Sequence, residues 1–152
     1  MVRVMAVGVF DLLHAGHLHY VEQAKALGDE LVVVVAHDDT VRKQKHEPVT
    51  SQALRCRMVQ GLKPVDTAII GNPPTMPIYE ILETVKPDII ALGYDQKHSL
   101  DTIKKGLKEN GWKDVEVIRV EGLADDLDGT RKIIAKILRL WSGETGGPYE
   151  ED

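Results

Sequence analysis

The chain has 152 residues and a formal net charge of −5. This size fits one globular domain, and the negative charge, which no basic stripe offsets, excludes a protein that coats nucleic acid. A single cysteine, Cys56, excludes an internal disulfide and a zinc site built from cysteines. The longest apolar run, at 30–36, is too short to cross a bilayer, and the chain enters a strand with no signal peptide before it. We therefore expect a cytoplasmic protein that binds neither membranes nor nucleic acid.

Apolar runs typical of buried strands alternate along the chain with apolar residues at helical spacing. Gly28 is expected to end the first helix, and Thr50 or Ser51 is expected to cap the second. The polar stretch 37–50 between a strand and this second helix is predicted as a loop. In the second helix, Leu54, Met58, Val59 and Leu62 are expected to face the core. The predicted strands are 3–7, 31–36, 65–70, 88–92 and 115–120, and the predicted helices are 17–27, 54–62, 78–85, 100–109 and 133–141.

Five strands alternating with five helices predict an α/β fold with right-handed crossovers. We expect a single Rossmann-like three-layer α/β/α domain over 1–141, with a five-stranded parallel sheet in the order 3-2-1-4-5. The remainder, 142–152, is acidic and glycine-rich and is expected to be a flexible tail. Ligands of such sheets bind beyond the carboxyl ends of the strands, where the strand order reverses. That rule places the loops after the first, fourth and fifth strands together at one site.

The stretch 8–17, Gly-Val-Phe-Asp-Leu-Leu-His-Ala-Gly-His, joins the first strand to the first helix. His14 and His17, on either side of Gly16, can turn both imidazoles toward one anion. The free backbone N–H groups and the positive dipole end of the helix favour the same ligand. A metal site formed with His19 is the weaker interpretation, because no acidic pattern accompanies it and His19 should point away around the helix. The motif predicts a phosphate site.

This stretch resembles the signature His-x-Gly-His of the nucleotidylyltransferase superfamily, in the form found in its cytidylyltransferase-like branch. The resemblance extends through about Leu140. Archaeal FAD synthases are the most similar group, since their Leu-Gly-x-Asp-Gln loop is matched at 92–96 and their Leu-Lys-Pro-Val-Asp at 62–66. Glycerol-3-phosphate cytidylyltransferases come next.

The resemblance implies that an acceptor phosphate attacks the α-phosphate of a nucleotide and expels pyrophosphate. Such a reaction needs two polyanions held in line and donors for the growing charge, not a protein nucleophile. His14 and His17 are implied to be these catalytic donors, with Lys43 as a third catalytic residue. A divalent cation, Mg²⁺, is expected to be held mainly by the phosphates rather than by the protein.

Other positions are assigned by the same resemblance, each with a simpler alternative. Asp11 could instead form an Asx turn, Lys43 and Lys45 could lie on a solvated loop, and Arg55 could make a surface salt bridge. Phosphate or acceptor contacts are assigned to Lys45, Arg55, Arg119 and Arg131. Nucleotide contacts are assigned to Val9, Phe10, Asp11, His14, Ala15, Gly16, His17, Gly93, Asp95, Gln96 and Thr130.

The segment before the last helix departs from the family pattern. An Arg-x-x-Gly run at 119–122 is present, but the stretch 123–128, with three aspartates, then intervenes before Thr130. Only one hydroxyl of the expected pair remains, and the aspartates would repel a triphosphate unless a divalent cation lay between them. Archaeal FAD synthases also tend to carry cysteines in this segment, and this chain has none there.

We expect an adenylyltransferase that uses ATP and FMN to make FAD. A CTP-dependent enzyme acting on glycerol 3-phosphate is the alternative within the same chemistry, and a non-catalytic nucleotide-binding module is the alternative of another class. FMN would need an apolar platform, for which Tyr79, Tyr94 and Trp112 are the candidates. Whether the chain forms a homodimer is left open.

Overall fold

A computed structural model describes residues 1–94, 99–123 and 129–141. Its five strands form one parallel sheet in the order β3-β2-β1-β4-β5, which confirms the predicted Rossmann-like architecture. The strands are β1 (Arg3–Gly8), β2 (Glu30–Val35), β3 (Thr67–Ile70), β4 (Ile89–Leu92) and β5 (Glu116–Arg119). The helices are α1 (Ala15–Lys25), α2 (Asp38–Gln44), α3 (Gln52–Gln60), α4 (Ile81–Val85), α5 (Leu100–Glu109) and α6 (Thr130–Trp141), with a 3₁₀ turn at Ile78–Glu80.

Alternate strand residues face opposite sides of the sheet, so each side has its own core. On one side Val33 of β2 packs with α1 and with Val59 of α3. On the other side Val32 of β2 packs with α4 and with Leu107 of α5. Both faces of the sheet are covered, which explains the continuous β-branched run of β2.

The predicted loop at 37–50 was wrong in part, because it contains helix α2. The side chain of His37 caps this helix by accepting from the backbone N–H of Asp39, and the acidic residues of the first turn favour its positive end. Val41 is its one buried residue. A seven-residue helix with a single inward residue leaves no periodic pattern to read.

The predicted core face of the second helix, α3, was also wrong in part. In α3, Leu54 and Met58 are more than half exposed, and the buried positions are Arg55 and Val59. Ser51, not Thr50, caps this helix, since its hydroxyl accepts from the N–H of Leu54. Val59 was predicted correctly and Leu62 packs against the same core, so the error is confined to Leu54 and Met58 and arises because a buried arginine was not anticipated.

Helix α6 keeps its apolar side exposed among the described residues, and none of its residues is buried. Ile134, Ile137 and Leu138 are between 37% and 60% exposed. The helix therefore exists as predicted, but its apolar stripe does not join either core.

Candidate nucleotide-binding site

The two histidines of the 8–17 stretch form a capping box at the start of α1. The Nδ1 atom of His14 accepts from the backbone N–H of Gly16 at 3.0 Å, and Nδ1 of His17 accepts from the N–H of His14 at 3.3 Å. Their rings stack with centroids 3.8 Å apart. Since both Nδ1 atoms are acceptors, the neutral rings carry their protons on Nε2 and can donate from there.

The hydroxyl of Thr130 connects this motif to the first residue of α6. Nε2 of His14 lies 3.2 Å from Oγ1 of Thr130, which in turn donates to the carbonyl of Asp11 at 3.4 Å. The N-termini of α1 and α6 therefore meet at one point, and two positive helix ends favour an anion there. Thr130 carries the one hydroxyl that remains of the pair expected from the family pattern, and it lies at this junction.

Burial holds the pKa of His17 well below the usual histidine value, at about 4. Electrostatic repulsion from Lys45, and from His14 when that ring is protonated, adds to this effect, while Asp11 opposes it. His17 is therefore a neutral ring at pH 7 and a donor through Nε2. The neutral ring keeps its Nε2–H and can donate it to a phosphoryl oxygen on which negative charge grows.

The loop before the histidines is held in an unusual backbone conformation. Phe10 and Leu12 have φ angles of 57° and 51°, in the left-handed region that side chains other than glycine rarely adopt. The buried ring of Phe10 packs against His17 and Tyr20, with centroids 5.3 and 6.2 Å away. A side chain at Gly8 would come within 2.8 Å of the Phe10 ring, so glycine is needed at the end of β1.

Asp11 is a tether between this loop and the segment that follows α2. Its buried carboxylate accepts from the N–H of Val49 at 2.6 Å and from the N–H and hydroxyl of Thr50 at 3.0 and 2.6 Å. Burial raises the pKa of the carboxyl, but the hydrogen bonds and the charge of Arg55 outweigh it and lower the pKa. The Asx-turn alternative was wrong, because these partners lie 38 and 39 residues away.

Arg55 is a second tether, and the expectation of a surface salt bridge was wrong. The residue is 1% exposed. Its Nε donates to the carbonyl of Thr50, Nη1 to the carbonyl of Val9, and Nη2 to the carboxylate of Asp38, at 3.0, 2.8 and 2.6 Å. With its guanidinium used in this way, Arg55 positions the loop and is not exposed to a ligand, which corrects its assignment as a phosphate contact.

Asp38 and Thr50 were missed by sequence reasoning, although both follow signals in the chain. Asp38 lies just beyond the carboxyl end of β2, where α/β sheets place functional residues. Burial raises the pKa of Asp38, but the hydrogen bond and charge of Arg55 lower it further than burial raises it. Thr50 bonds to Asp11 and Asp38 bonds to Arg55, so the two tethers join the loop after β1 to α2 and α3.

The basic residues assigned to phosphates occupy different positions. Lys45, at the end of α2, is exposed and close enough for its charge to lower the pKa of His17. Lys43 is exposed in the last turn of the same helix, and Arg131 is exposed in the first turn of α6. Nη1 of Arg119 donates to the carbonyl of Gly93 at 3.0 Å and so joins the ends of β5 and β4.

Some predicted residues add little or fall outside the described part of the chain. Ala15 and Gly16 form the first turn of α1, with the N–H of Gly16 used by His14. Asp95, Gln96, the aspartates at 125–128 and the tail at 142–152 lie outside the described residues.

Of the three aromatic platform candidates, the structure places only Tyr94 at the carboxyl end of a strand next to β1. Tyr79 packs against Gly106 of α5. Trp112 follows α5 and precedes β5, and therefore lies at the opposite edge of the sheet. Trp112 was therefore a wrong candidate, and the Tyr79 ring is already packed against α5.

A cytidylyltransferase-like family model matches residues 5–132, from β1 to the first turn of α6. The chain belongs to the cytidylyltransferase-like family. The match covers all the elements that carry the capping box and both tethers. The nucleotidyltransferase class predicted from the His-x-Gly-His stretch is confirmed.

Relatives within this family agree with the predicted resemblance. The chain is 52% identical over 139 residues to a FAD synthase of Aciduliprofundum boonei, covering 91% of each chain. It is 48% identical over 142 residues to a FAD synthase of Thermococcus onnurineus, covering 92% of this chain and 93% of that one.

Solved structures share the fold. A protein from Thermoplasma volcanium described as a lipopolysaccharide core biosynthesis protein superposes with a TM-score of 0.76 at 43% identity, covering 81% of this chain and 98% of the other. In the described part of the present chain, no helix is long and apolar enough to cross a membrane.

Proposed function

We propose that this protein transfers the AMP group of ATP to FMN, producing FAD and pyrophosphate. The observation that carries the proposal is the junction of His14, His17 and Thr130 at the N-termini of α1 and α6. The FAD synthases that cover more than nine-tenths of this chain support ATP and FMN as the substrate pair.

In the proposed reaction, a phosphate oxygen of FMN attacks the α-phosphorus of ATP, and the bond to the bridging oxygen of pyrophosphate breaks. The electron pair of that bond leaves with pyrophosphate, so no protein nucleophile is required. The protein has to hold two polyanions in line and stabilise the charge that grows on the oxygens. Neutral Nε2–H donors and two helix ends supply this stabilisation, and Lys45 adds a positive charge beside His17.

Magnesium remains a prediction. No group of three potential metal-ligating side chains occurs among the described residues, and the Asp11 carboxylate is already used by Val49 and Thr50. This donor set fits an ion that is held by the phosphates and water, which is how Mg²⁺ commonly binds with nucleotides. When bound, it would neutralise part of the charge on the triphosphate. The cytoplasmic location also remains a prediction.

The test is a two-by-two incubation with Mg²⁺, pairing ATP or CTP with FMN or glycerol 3-phosphate. Pyrophosphate release and product mass are measured. We expect FAD from ATP and FMN and little product from the other pairs. CDP-glycerol as the main product would replace the proposal with the cytidylyltransferase alternative, and no turnover with any pair would favour the non-catalytic module.

A further inference from the structure

The side chain of Tyr20 reaches from helix α1 into the space between two neighbouring strands of the sheet. β1 stays paired with β2 to its last residue, but its pairing with β4 ends at Ala6↔Ala91. Beyond that point the Tyr20 hydroxyl accepts from the N–H of Val7 at 3.2 Å and donates to the carbonyl of Ala91 at 2.6 Å. One side chain therefore bridges β1 and β4 where the loop that carries the histidines is about to begin.

The sheet itself anchors this hydroxyl. A hydroxyl has a single proton, and the short distance to the carbonyl of Ala91 assigns the proton there rather than to the carbonyl of Val7, which is 3.4 Å away. Ala6 and Ala91, the last pair of the two strands, are both fully buried. The far end of the Tyr20 ring is therefore fixed by buried backbone, not by a side chain that could turn away.

Phe10 carries this anchor to the loop after β1. The rings of Tyr20 and Phe10 are nearly parallel, with an angle of 11° between their planes and centroids 6.2 Å apart. A side chain at Gly8 would lie 2.8 and 3.0 Å from Cε2 and Cζ of Phe10, so the backbone of β1 closes against the edge of that ring. The Phe10 ring is held between Gly8 of β1 and Tyr20 of α1.

His17 is the next ring in this series. It precedes Tyr20 by three residues, so the two side chains are neighbours on one face of α1. Its ring contacts Phe10 at a centroid distance of 5.3 Å and an angle of 51°, and the His14 ring stacks on it. The hydrogen bond at its Nδ1 atom is 3.3 Å long and lets the imidazole tilt. The orientation of His17 therefore depends on the rings packed against it.

We propose that Tyr20 is a positioning residue, which acts through Phe10 to hold the imidazole of His17 in the orientation that donates Nε2–H to the transferred phosphate. The inference rests on the proposed function, because it assigns His17 a role in that reaction. Tyr20 itself touches neither substrate, since its hydroxyl is used within the sheet. A misplacement of about 1 Å at a reacting group can slow a reaction about a hundredfold. The orientation of the ring, and not only its presence, therefore affects turnover.

Steady-state FAD formation tests this with Tyr20→Phe, which keeps the ring and removes only the hydroxyl. We expect kcat to fall about tenfold and the KM for ATP to stay within about twofold, because a misoriented donor is lost mainly in the transition state. Phe10→Leu, which removes the intermediate ring, should lower kcat further. Tyr79→Phe removes a hydroxyl on the other side of the sheet and is the matched control, with both constants unchanged. An unchanged kcat in Tyr20→Phe would overturn the inference.

The same substitution in a His17→Ala background separates positioning from a general structural role. If Tyr20 acts through His17, Tyr20→Phe should lower kcat no further once the imidazole is gone. An equal loss in the two backgrounds would contradict the proposal, because it would show that the hydroxyl supports the fold as a whole.

The titration of His17 is a readout that needs no turnover. Burial holds its pKa at about 4, and the charged groups that act on it are His14, Lys45 and Asp11, which Tyr20→Phe leaves in place. A loosened ring admits water, so Tyr20→Phe should raise the pKa of His17 toward 6.5. NMR measures this, with the His17 signal assigned by its absence in His17→Gln.

Tyr79→Phe should leave the pKa of His17 where it is in the wild type. The same result in Tyr20→Phe would mean that the hydroxyl does not hold the imidazole, and would end the proposal. The proposed function fails separately. A wild-type protein that makes no FAD would remove the reaction, and the NMR titration would still decide whether Tyr20 holds the His17 ring.

Discussion

The loop after β1 and the paired ends of β4 and β5 both border the proposed nucleotide site, but they are held in different ways. The β1 loop is fixed by buried charges, since Asp11 and Arg55 together accept or donate six hydrogen bonds that reach α2, Thr50 and Val9. The β4–β5 end is fixed by strand pairing, one arginine bond and the contact of the Tyr94 ring with Gly122. The first region supports left-handed backbone at Phe10 and Leu12, which needs strong restraint. The second region, the β4–β5 end, forms a surface and needs only the fixed backbone that strand pairing provides.

Removing Arg55 should break the first region most severely. We expect Arg55→Ala to lower the free energy of unfolding by about 3–5 kcal/mol, because it leaves the Asp38 carboxylate and two carbonyls without their buried partner. Chemical denaturation measures this. Arg57→Ala, an exposed arginine on the same helix, is the control and should change stability little. Equal effects for the two variants would mean that the tether is not a structural requirement.

Removing either histidine should affect catalysis more than stability. We expect His14→Ala and His17→Ala each to lower turnover about a hundredfold or more, the scale for losing one donor in the transition state. Steady-state FAD formation measures this, with His19→Ala on the same helix as the control. Unchanged turnover in both variants would reduce the capping box to a structural feature of α1.

Acid should weaken the first region through His17. The pKa of His17 is about 4 in the folded protein and near 6.5 in the unfolded chain. Between these two pH values the unfolded chain binds a proton at His17 and the folded protein does not, so acid favours unfolding. Stability should therefore fall by about 1.6 kcal/mol between pH 6.5 and pH 5, since the slope is half of about 1.36 kcal/mol per pH unit at pH 6.5 and approaches that value at lower pH. Asp11 and Asp38 have lowered pKa values and lose their contribution only at lower pH.

Denaturation curves at each pH measure the slope. His17→Gln should flatten it within this window and leave the loss at lower pH in place. A wild-type slope that His17→Gln does not change would contradict the assignment of the titrating group.

The smallest effect is expected at the β4–β5 end. Arg119→Met should cost about 1 kcal/mol, the usual net contribution of one hydrogen bond, because strand pairing still holds the backbone. Arg139→Met, an exposed position on α6, is the control. A loss as large as that of Arg55→Ala would remove the distinction between the two regions.

The sequence was sufficient for the parallel strands and the histidine motif, since both depend on local patterns, and the sheet order then followed from the Rossmann-like fold that the strand–helix alternation predicts. Alternating apolar runs predict parallel strands. His14 caps α1 by accepting from the backbone N–H of Gly16, only two residues later in the chain. It was insufficient for Arg55, because an arginine among apolar residues indicates a surface until the distant partners Val9 and Asp38 are known. Helix α2 was missed because a single buried residue, Val41, does not produce a helical spacing of apolar residues. The Gly122 contact is also non-local, since its partner ring lies on another strand end.

The hydrogen bond between His14 and Thr130 joins residues that are 116 positions apart. During synthesis, the capping box of α1 can form early, but Thr130 reaches His14 only after helix α6 has left the ribosome. A chain that stops before α6 would keep all five strands and still lack one wall of its phosphate site. Nucleotide binding should therefore report that helix α6 has been made and has packed against the loop after β1.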